Sequence, residues 1–283
     1  MKLAVISDVH ANVPALTAVL DAIALEQVDR IVCLGDVAGY HTELTACVHL
    51  LRAAGALCVA GNHDRAVIGA LASDGFSPHA RRAVAWTQDR LEDATRDFLA
   101  ALPFQRSIDG VLVAVHGALH PEVSCEWVRL DDDPKRDLSL DALAAHPSGA
   151  RVCAFGHTHR PGVWTRCAGV IQRVEGDTVM LRPDAWYLVN PGSVGESRDD
   201  DPRASFLVYD CAARSVCFRR VMYDRAPVLA ATRAARLIAP QRLPWIPEPA
   251  RTRLKAMLRR WGADDWVRAV LGALDWRRRA RGL

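Results

Sequence analysis

The sequence predicts an α/β fold in which a parallel sheet with crossover helices is followed by a second, partly antiparallel sheet. Three observations predict it. Through the first sixty residues short apolar runs alternate with helical patterns, each run ends in a polar or glycine-bearing segment, and towards the C-terminal half the pattern changes to paired, hairpin-like runs.

The elements follow in order. Leu3 to Ile6 reads as a strand, Pro14 to Leu25 as a helix, Ile31 to Leu34 as a strand, Leu44 to Ala53 as a helix and Leu57 to Ala60 as a strand, a βαβαβ series. These strands end in Ser7-Asp8-Val9-His10, Gly35-Asp36 and Gly61-Asn62-His63-Asp64. Ligands in open α/β sheets sit beyond the carboxyl ends of the strands, so the three segments are expected to converge. Residues 77–101 read as one or two helices. Val111 to Val115 is a buried strand ending at His116-Gly117, Asp131 to Asp137 is a polar loop, and Val152 to Phe155 precedes Gly156-His157-Thr158-His159. Gly169 to Arg173 and Thr178 to Leu181 are expected to pair about a Glu175-Gly176-Asp177 turn, and Ser205 to Tyr209 and Val216 to Val221 follow.

Composition narrows the class. With 283 residues, half of them apolar, the chain can bury one sizeable core and carry an appendage. Its longest apolar stretches fall well short of the roughly 20 residues needed to cross a bilayer. No transmembrane segment is expected. The N-terminus runs directly into a strand without the regions of a signal peptide. None of the eight cysteines forms a CxxC pair and several lie in apolar runs, which fits free thiols in a reducing compartment and a cytoplasmic location. Charge is uneven: residues 251–283 hold ten Lys/Arg against three Asp, a net +7, which leaves −4 for the rest of a chain whose total is +3. Three prolines in Arg242 to Pro249 predict an extended strap. Beyond it Leu254, Met257, Leu258 and Trp261, then Trp266, Val267, Val270, Leu271 and Leu274, recur at helical spacing with Gly262 and Asp264 between them. A C-terminal helical hairpin is therefore expected. Its apolar stripe suits docking or a homo-oligomer contact better than nucleic-acid or membrane-surface binding, which its basic charge leaves as alternatives.

The chemistry lies at the strand ends. Asp8 and His10, Asp36, Asn62, His116, His157 and His159 all fall after successive strands of what reads as one sheet. Seven such placements are hard to reconcile with unrelated core or surface polar residues. Imidazole nitrogens mixed with carboxylate and amide oxygens suit manganese, iron, zinc, cobalt or nickel better than magnesium or calcium alone. Seven ligands exceed what one open catalytic ion takes, whereas two ions about 3.5–4 Å apart with a bridging carboxylate account for the number. Asp36 is the best bridge, since the glycine before it permits close approach of the backbone.

In order and spacing Asp8-x-His10, Gly35-Asp36, Gly61-Asn62-His63-Asp64, Val115-His116-Gly117 and Gly156-His157-Thr158-His159 resemble the calcineurin-like metallophosphoesterase superfamily. Asn190-Pro191-Gly192-Ser193-Val194-Gly195 followed by Arg198-Asp199 resembles its small prokaryotic phosphodiesterase branch. This resemblance implies a four-layer α/β/β/α sandwich of two mixed sheets over residues 1–225, with residues 226–283 as a C-terminal helical extension. It implies Asp8, His10, Asp36 and His159 on one metal, and Asp36, Asn62, His116 and His157 on the other, manganese first among the candidates. His63 would donate a proton to the leaving oxygen, with Asp64 orienting or tuning it, and a hydroxide bridging the metals would attack the phosphoester in line. Departures occur at Ala118, where relatives often carry Ser, and at His41, where they typically carry Gly. His41 reads equally as a cleft residue or an exposed loop residue, and His79 as structural. Tyr40 and Arg198 are candidate substrate contacts, an ion pair of Arg198 with Asp199 or Asp200 being the alternative. A phosphodiesterase acting on a small or nucleotidic diester is the first functional expectation. A phosphomonoesterase of protein-Ser/Thr or diadenosine-polyphosphate type, and a non-catalytic metal-stabilised nucleic-acid scaffold, are the alternatives.

Overall fold

The computed structural model describes residues 1–237. The expected helical hairpin, its oligomer contact and its alternative as a nucleic-acid arm lie outside the described residues. β1 (Lys2–Ile6) leads into α1 (Val13–Leu25), where Asn12 accepts the Ala15 N–H and Pro14 occupies the first turn without forfeiting a helical hydrogen bond. β2 (Arg30–Cys33), α2 (Leu44–Ala53), β3 (Leu57–Cys58) and the short α3 (Asn62–Val67) complete the first series. α4 (Pro78–Gln88) and α5 (Asp93–Ala100) follow, then β4 (Gln105–Ile108), β5 (Leu112–Val115) and a 3-10 turn at Cys125–Trp127. α6 (Asp133–Ala144), β6 (Val152–Ala154), β7 (Gly162–Cys167), β8 (Val170–Val174), β9 (Thr178–Met180), β10 (Tyr187–Asn190), β11 (Ala204–Asp210), β12 (Ser215–Val221) and α7 (Ala226–Ala234) close the series.

Two six-stranded mixed sheets result, one ordered β3-β2-β1-β11-β12-β9 and the other β4-β5-β6-β10-β7-β8. Alternation along β1 shows how the layers form. Leu3 and Val5 face the apolar layer between the sheets with Val32, Leu112, Ala114, Val152 and Val189. Ala4 and Ile6 point the other way, towards Leu16 and Val19 of α1 and Cys47 and Leu51 of α2. On the far side Val113, Val115 and Phe155 pack with Leu140 and Leu143 of α6. Helices, sheet, sheet and helix thus make four layers, each strand being apolar on both faces where it is central.

Three expectations change. The strand ends do not belong to one sheet: β1, β2 and β3 lie in the first, β5 and β6 in the second. Parallel pairing of β5 with β6 and β6 with β10 is independent of β1, a separation that runs of apolar residues alone do not reveal. The hairpin about Glu175-Gly176-Asp177 is not formed. β8 pairs with β7 through a two-residue turn at Ala168 and Gly169, both at positive φ (49° and 79°), and β9 pairs with β12 in the other sheet. Asp131 to Asp137 is not a loop throughout, because Asp132 caps Lys135 N–H and Pro134 starts α6.

The eight cysteines are unpaired thiols, and Cys33, Cys47, Cys58, Cys125 and Cys153 are buried. Among the described residues no helix is long and apolar enough to cross a membrane. Met1–Ala239 forms one compact unit that includes α7, whose Val228 and Thr232 are buried.

Phe206 of β11 is 1 % exposed in the layer between the first sheet and its helices. Phe206→Ala should lower the unfolding free energy by about 3–5 kcal/mol, measured by urea denaturation with the far-UV spectrum retained at zero denaturant.

Candidate metal centre

The carboxyl ends of β1, β2, β5 and β6, together with the start of α3, meet at one place. Asp8, His10 and His159 form one group whose ligand atoms lie within 4.8 Å of one another, and Asp36, His116 and His157 form a second. Asn62 joins the second through Oδ1, 3.0 Å from His116 Nε2. Asp36 lies between the groups, its Oδ2 3.3 Å from His116 Nε2 and 3.9 Å from His10 Nε2. All seven expected ligands are therefore brought together, and all are buried.

Backbone geometry makes this convergence. Asp8, His10, Asp36, His157 and His159 each leave their strands in the left-handed region, with φ between 51° and 60°. Asp and His tolerate that region better than most residues, yet each placement costs about 1 kcal/mol or more. Gly35 and Gly61 permit the closest approach. A Cβ at Gly35, itself at φ 89°, would fall 2.5 Å from Gly61 N, and one at Gly61 would fall 2.1 Å from Asp36 Oδ1.

Hydrogen bonds settle which nitrogen each ring presents. His10 Nδ1 bonds the Ala38 carbonyl at 2.8 Å, His116 Nδ1 the Leu34 carbonyl at 2.8 Å, and His159 Nδ1 the Glu196 carbonyl. A carbonyl only accepts, so each Nδ1 carries a proton, and Nε2 is the nitrogen that turns a lone pair towards the centre whenever the ring is neutral. His10 Nε2 and His159 Nε2 face each other at 3.2 Å. Beside them the Asp8 carboxylate is fully buried and neither oxygen has a hydrogen-bond partner, although Oδ1 is 3.2 Å from His159 Nε2. Converging lone pairs and an orphaned buried carboxylate are unfavourable unless a cation lies among them. Ligand atoms about 3.0–3.5 Å apart are what metal bonds of about 2.0–2.2 Å produce. The donor set and its spacing fit divalent cations.

Ionisation states agree. Burial would raise both carboxyls, but His159 holds Asp8, and His116 with His63 and His10 holds Asp36, well below the usual carboxylate range. Burial, reinforced by His159, depresses His10, and burial pushes His157 down to about 3 and His63 down to about 4. His116 departs from this pattern: burial opposes its charge, yet the Asp36 carboxylate pushes it up to about 9. In the metal-free protein the His116 imidazolium stands where cationic charge is called for.

The Asn190 to Gly195 segment acts as a clamp between the sheets. Asn190 Nδ2 donates to the Gly156 carbonyl and to Thr158 Oγ1, fixing the His157 and His159 loop. Ser193 Oγ donates to the Asp8 carbonyl, Val194 N–H to Ser7 and Gly195 N–H to Asp8, fixing the Asp8 loop. Glu196, which the sequence reading did not single out, then supplies the carbonyl that orients His159.

An open cleft of 560 Å³ adjoins the cluster and is lined by Asp36, Asn62, His157 and His159 at its base, with His63, Tyr40 and Arg198 among its walls. Arg198 donates to Tyr40 Oη at 2.8 Å and reaches the His157 carbonyl at 3.5 Å. It forms no ion pair with Asp199, which Arg220 occupies. Asp64 does not bond His63. Its oxygens accept the Ala38 and Gly61 N–H groups, each at 2.9 Å, so it holds together the loops that carry Asp36 and His63. Burial and the Asp36 charge push Asp64 up to about 7. His41 is neither exposed nor in the cleft wall: it is buried, with Nδ1 on Thr232 Oγ1 of α7 at 2.8 Å and Nε2 3.5 Å from the Glu196 carboxylate. His79, expected to be structural, lines the cleft, as does Arg129. No motif in the sequence marks Arg129.

Comparison with known proteins places this arrangement. The model of the calcineurin-like phosphoesterase superfamily domain matches residues 1–214. The chain belongs to that superfamily. An uncharacterized protein of Methanocaldococcus jannaschii is 34% identical to this calcineurin-like phosphoesterase over 226 residues, covering 78% of this chain and 88% of the relative. The crystal structure of a metallophosphoesterase from Sphaerobacter thermophilus is 36% identical, with a TM-score of 0.71 over 84% of this chain and 95% of that one. A hypothetical protein from Pyrococcus horikoshii shares the fold at 18% identity, with a TM-score of 0.65 over 84% and 94% of the two chains.

The His116 shift gives a pH dependence. Its folded-state value of about 9 lies above the ordinary 6.5, so its stabilising contribution is complete below about pH 6.5 and is lost as pH rises to 9. The depressed histidines act below that window. In chelator the melting temperature should therefore fall from pH 6.5 to 9. A divalent cation should raise it more at pH 8.5 than at 6.5, because binding expels the proton. Scanning fluorimetry across that range measures both.

Proposed function

We propose that this protein is a phosphodiesterase that hydrolyses a small or nucleotidic phosphodiester with the help of two divalent cations. Asp8, His10, Asp36 and His159 would hold one, and Asp36, Asn62, His116 and His157 the other. The observation that carries this reading is the orphaned Asp8 carboxylate facing two Nε2 lone pairs, with Asp36 shared between the two ligand groups. Manganese is the first candidate, and iron, zinc, cobalt or nickel suit the same mixed donor set. Bound there, such a pair supplies a nucleophile at neutral pH and neutralises charge on the phosphoryl oxygens. Superfamily membership supports hydrolysis of a phosphoester. The resemblance of the Asn190 to Gly195 segment and the openness of the cleft, with room for a substituent beyond the phosphate, favour a diester. Unpaired buried thiols support a cytoplasmic setting.

The chain's own residues divide the remaining work. Arg198, held by Tyr40, presents its planar fork towards the cleft, where it would bind and orient a phosphoryl oxygen. His63 is placed by its backbone, whose N–H donates to Asp36 Oδ1 at 2.8 Å. Its Nδ1 is sealed and without a partner, which leaves Nε2 to exchange a proton with the cleft. Burial keeps the ring neutral in the free protein, and the negative charge of a bound phosphate would favour the protonated donor that a leaving oxygen requires.

Hydrolysis of bis-p-nitrophenyl phosphate and p-nitrophenyl phosphate, with manganese and then with EDTA, tests this reading. The diester should turn over faster, and EDTA should abolish both activities. Preference for p-nitrophenyl phosphate would make the protein a phosphomonoesterase, and no turnover of either with metal bound would leave a non-catalytic scaffold. His63→Ala should lower turnover by about 10²- to 10⁴-fold on a diester with a poor leaving group, and less on nitrophenyl esters, with two metals per chain retained. Equal loss on both substrates, or loss of a metal, would contradict the proton-donor role.

A further inference from the structure

The cleft has two kinds of wall besides the ligand cluster. One is aromatic. Phe76 meets His63 edge to face at 4.7 Å between ring centroids, and Trp127 lies 4.8 Å from Phe76 with its plane tilted by 45°. Trp127 is seated where Gly75 has no side chain, since a Cβ there would fall 2.6 Å from the indole. The other is cationic. Arg198 is tethered to Tyr40 and forms no ion pair among the described residues, and Arg129 is 44% exposed at its side chain and approaches Asp131 only at 3.7 Å. Both guanidinium groups line the same cleft, and burial together with the charge of Arg198 lowers the proton affinity of Arg129. The carboxylates lining the same cleft are engaged elsewhere, Asp36 in the ligand cluster and Glu196 3.5 Å from His41 Nε2, so two guanidinium groups there are an arrangement that an anionic ligand completes.

We infer that the substrate of this cleft is a nucleotide-type phosphoester, its planar base against Phe76 and Trp127 and its phosphate between Arg129, Arg198 and the ligand cluster. This narrows the phosphoesterase reading above and rests on it. The chemistry is that of two unlike recognitions on one ligand. Guanidinium groups take phosphate oxygens through parallel N–H donors, and the half-buried indole of Trp127, next to the buried Phe76, takes a flat π-surface. A cleft of 560 Å³ has room for both parts of a mononucleotide. Stacking tolerates any base, so the walls select a nucleotide over an alkyl phosphate without choosing among bases.

Titration calorimetry of the full chain, in EDTA so that no turnover occurs, tests this with adenosine 5′-monophosphate, ribose 5-phosphate and adenosine. The monophosphate should bind roughly tenfold or more tightly than ribose 5-phosphate, the range that base stacking supplies. Trp127→Ala should erase that difference and leave ribose 5-phosphate unchanged, while Trp127→Phe keeps most of it and guards against a folding defect. Arg129→Ala should weaken both phosphates about tenfold and leave adenosine unchanged, with Arg129→Lys recovering part of the loss. Equal binding of the monophosphate and ribose 5-phosphate to the unaltered chain, or no loss of either phosphate in Arg129→Ala, would overturn the inference. The expected binding pattern without hydrolysis of any phosphoester by metal-loaded protein would leave the nucleotide site standing and remove the catalytic reading. Hydrolysis of bis-p-nitrophenyl phosphate without that pattern would do the reverse.

Discussion

Two carboxylates buried in the middle of the molecule set the terms for everything around them. Asp8 is 0 % and Asp36 1 % exposed, and Asp8 has no hydrogen bond at either oxygen. An ionised carboxylate taken out of water costs several kcal/mol unless positive charge returns. The neighbours that could have satisfied these oxygens are arranged otherwise. His10 and His159 have spent their Nδ1 protons on backbone carbonyls, which leaves their Nε2 atoms facing each other beside Asp8, and only the His116 imidazolium returns positive charge, to Asp36. Such a constellation makes physical sense as a holder for cations, and the left-handed turns at five of its residues represent backbone strain accepted for the same end.

Position depends on two sheets meeting at their carboxyl ends. β1 and β2 bring Asp8, His10 and Asp36 from one side, and β5 and β6 bring His116, His157 and His159 from the other. Apolar packing between the sheets sets their separation, but packing is non-directional and would not by itself align loops to within an ångström. Directional contacts do that. Asn190 and Ser193 bond the loops of both sheets, and Asp64 bonds the Asp36 and Gly61 loops from below. Asp64, expected to orient or tune His63, thus holds backbone as well.

What could be read beforehand follows from which signals are local. Apolar runs and the polar residues that end them are local, so β1, α1, β2, α2 and the seven clustered residues were legible, as was the four-layer arrangement once the motif order suggested a superfamily. Sheet membership is not local. Nothing in Gly169 to Leu181 says that β8 and β9 part company, because the turn that decides it, Ala168-Gly169, lies just ahead of that stretch. Asp64 beside His63 reads as a partner, whereas helix geometry turns its carboxylate back onto Gly61 N–H in the manner of a capping box. Arg129 and His79 carry no motif and become cleft residues only through the folding of loops around them.

The shared carboxylate is the centre of this account, and locating metal in a crystal grown with manganese examines it most directly. Anomalous diffraction should show two peaks about 3.5–4 Å apart, both in contact with the carboxylate of Asp36. A single peak, or a second one away from Asp36, would contradict it.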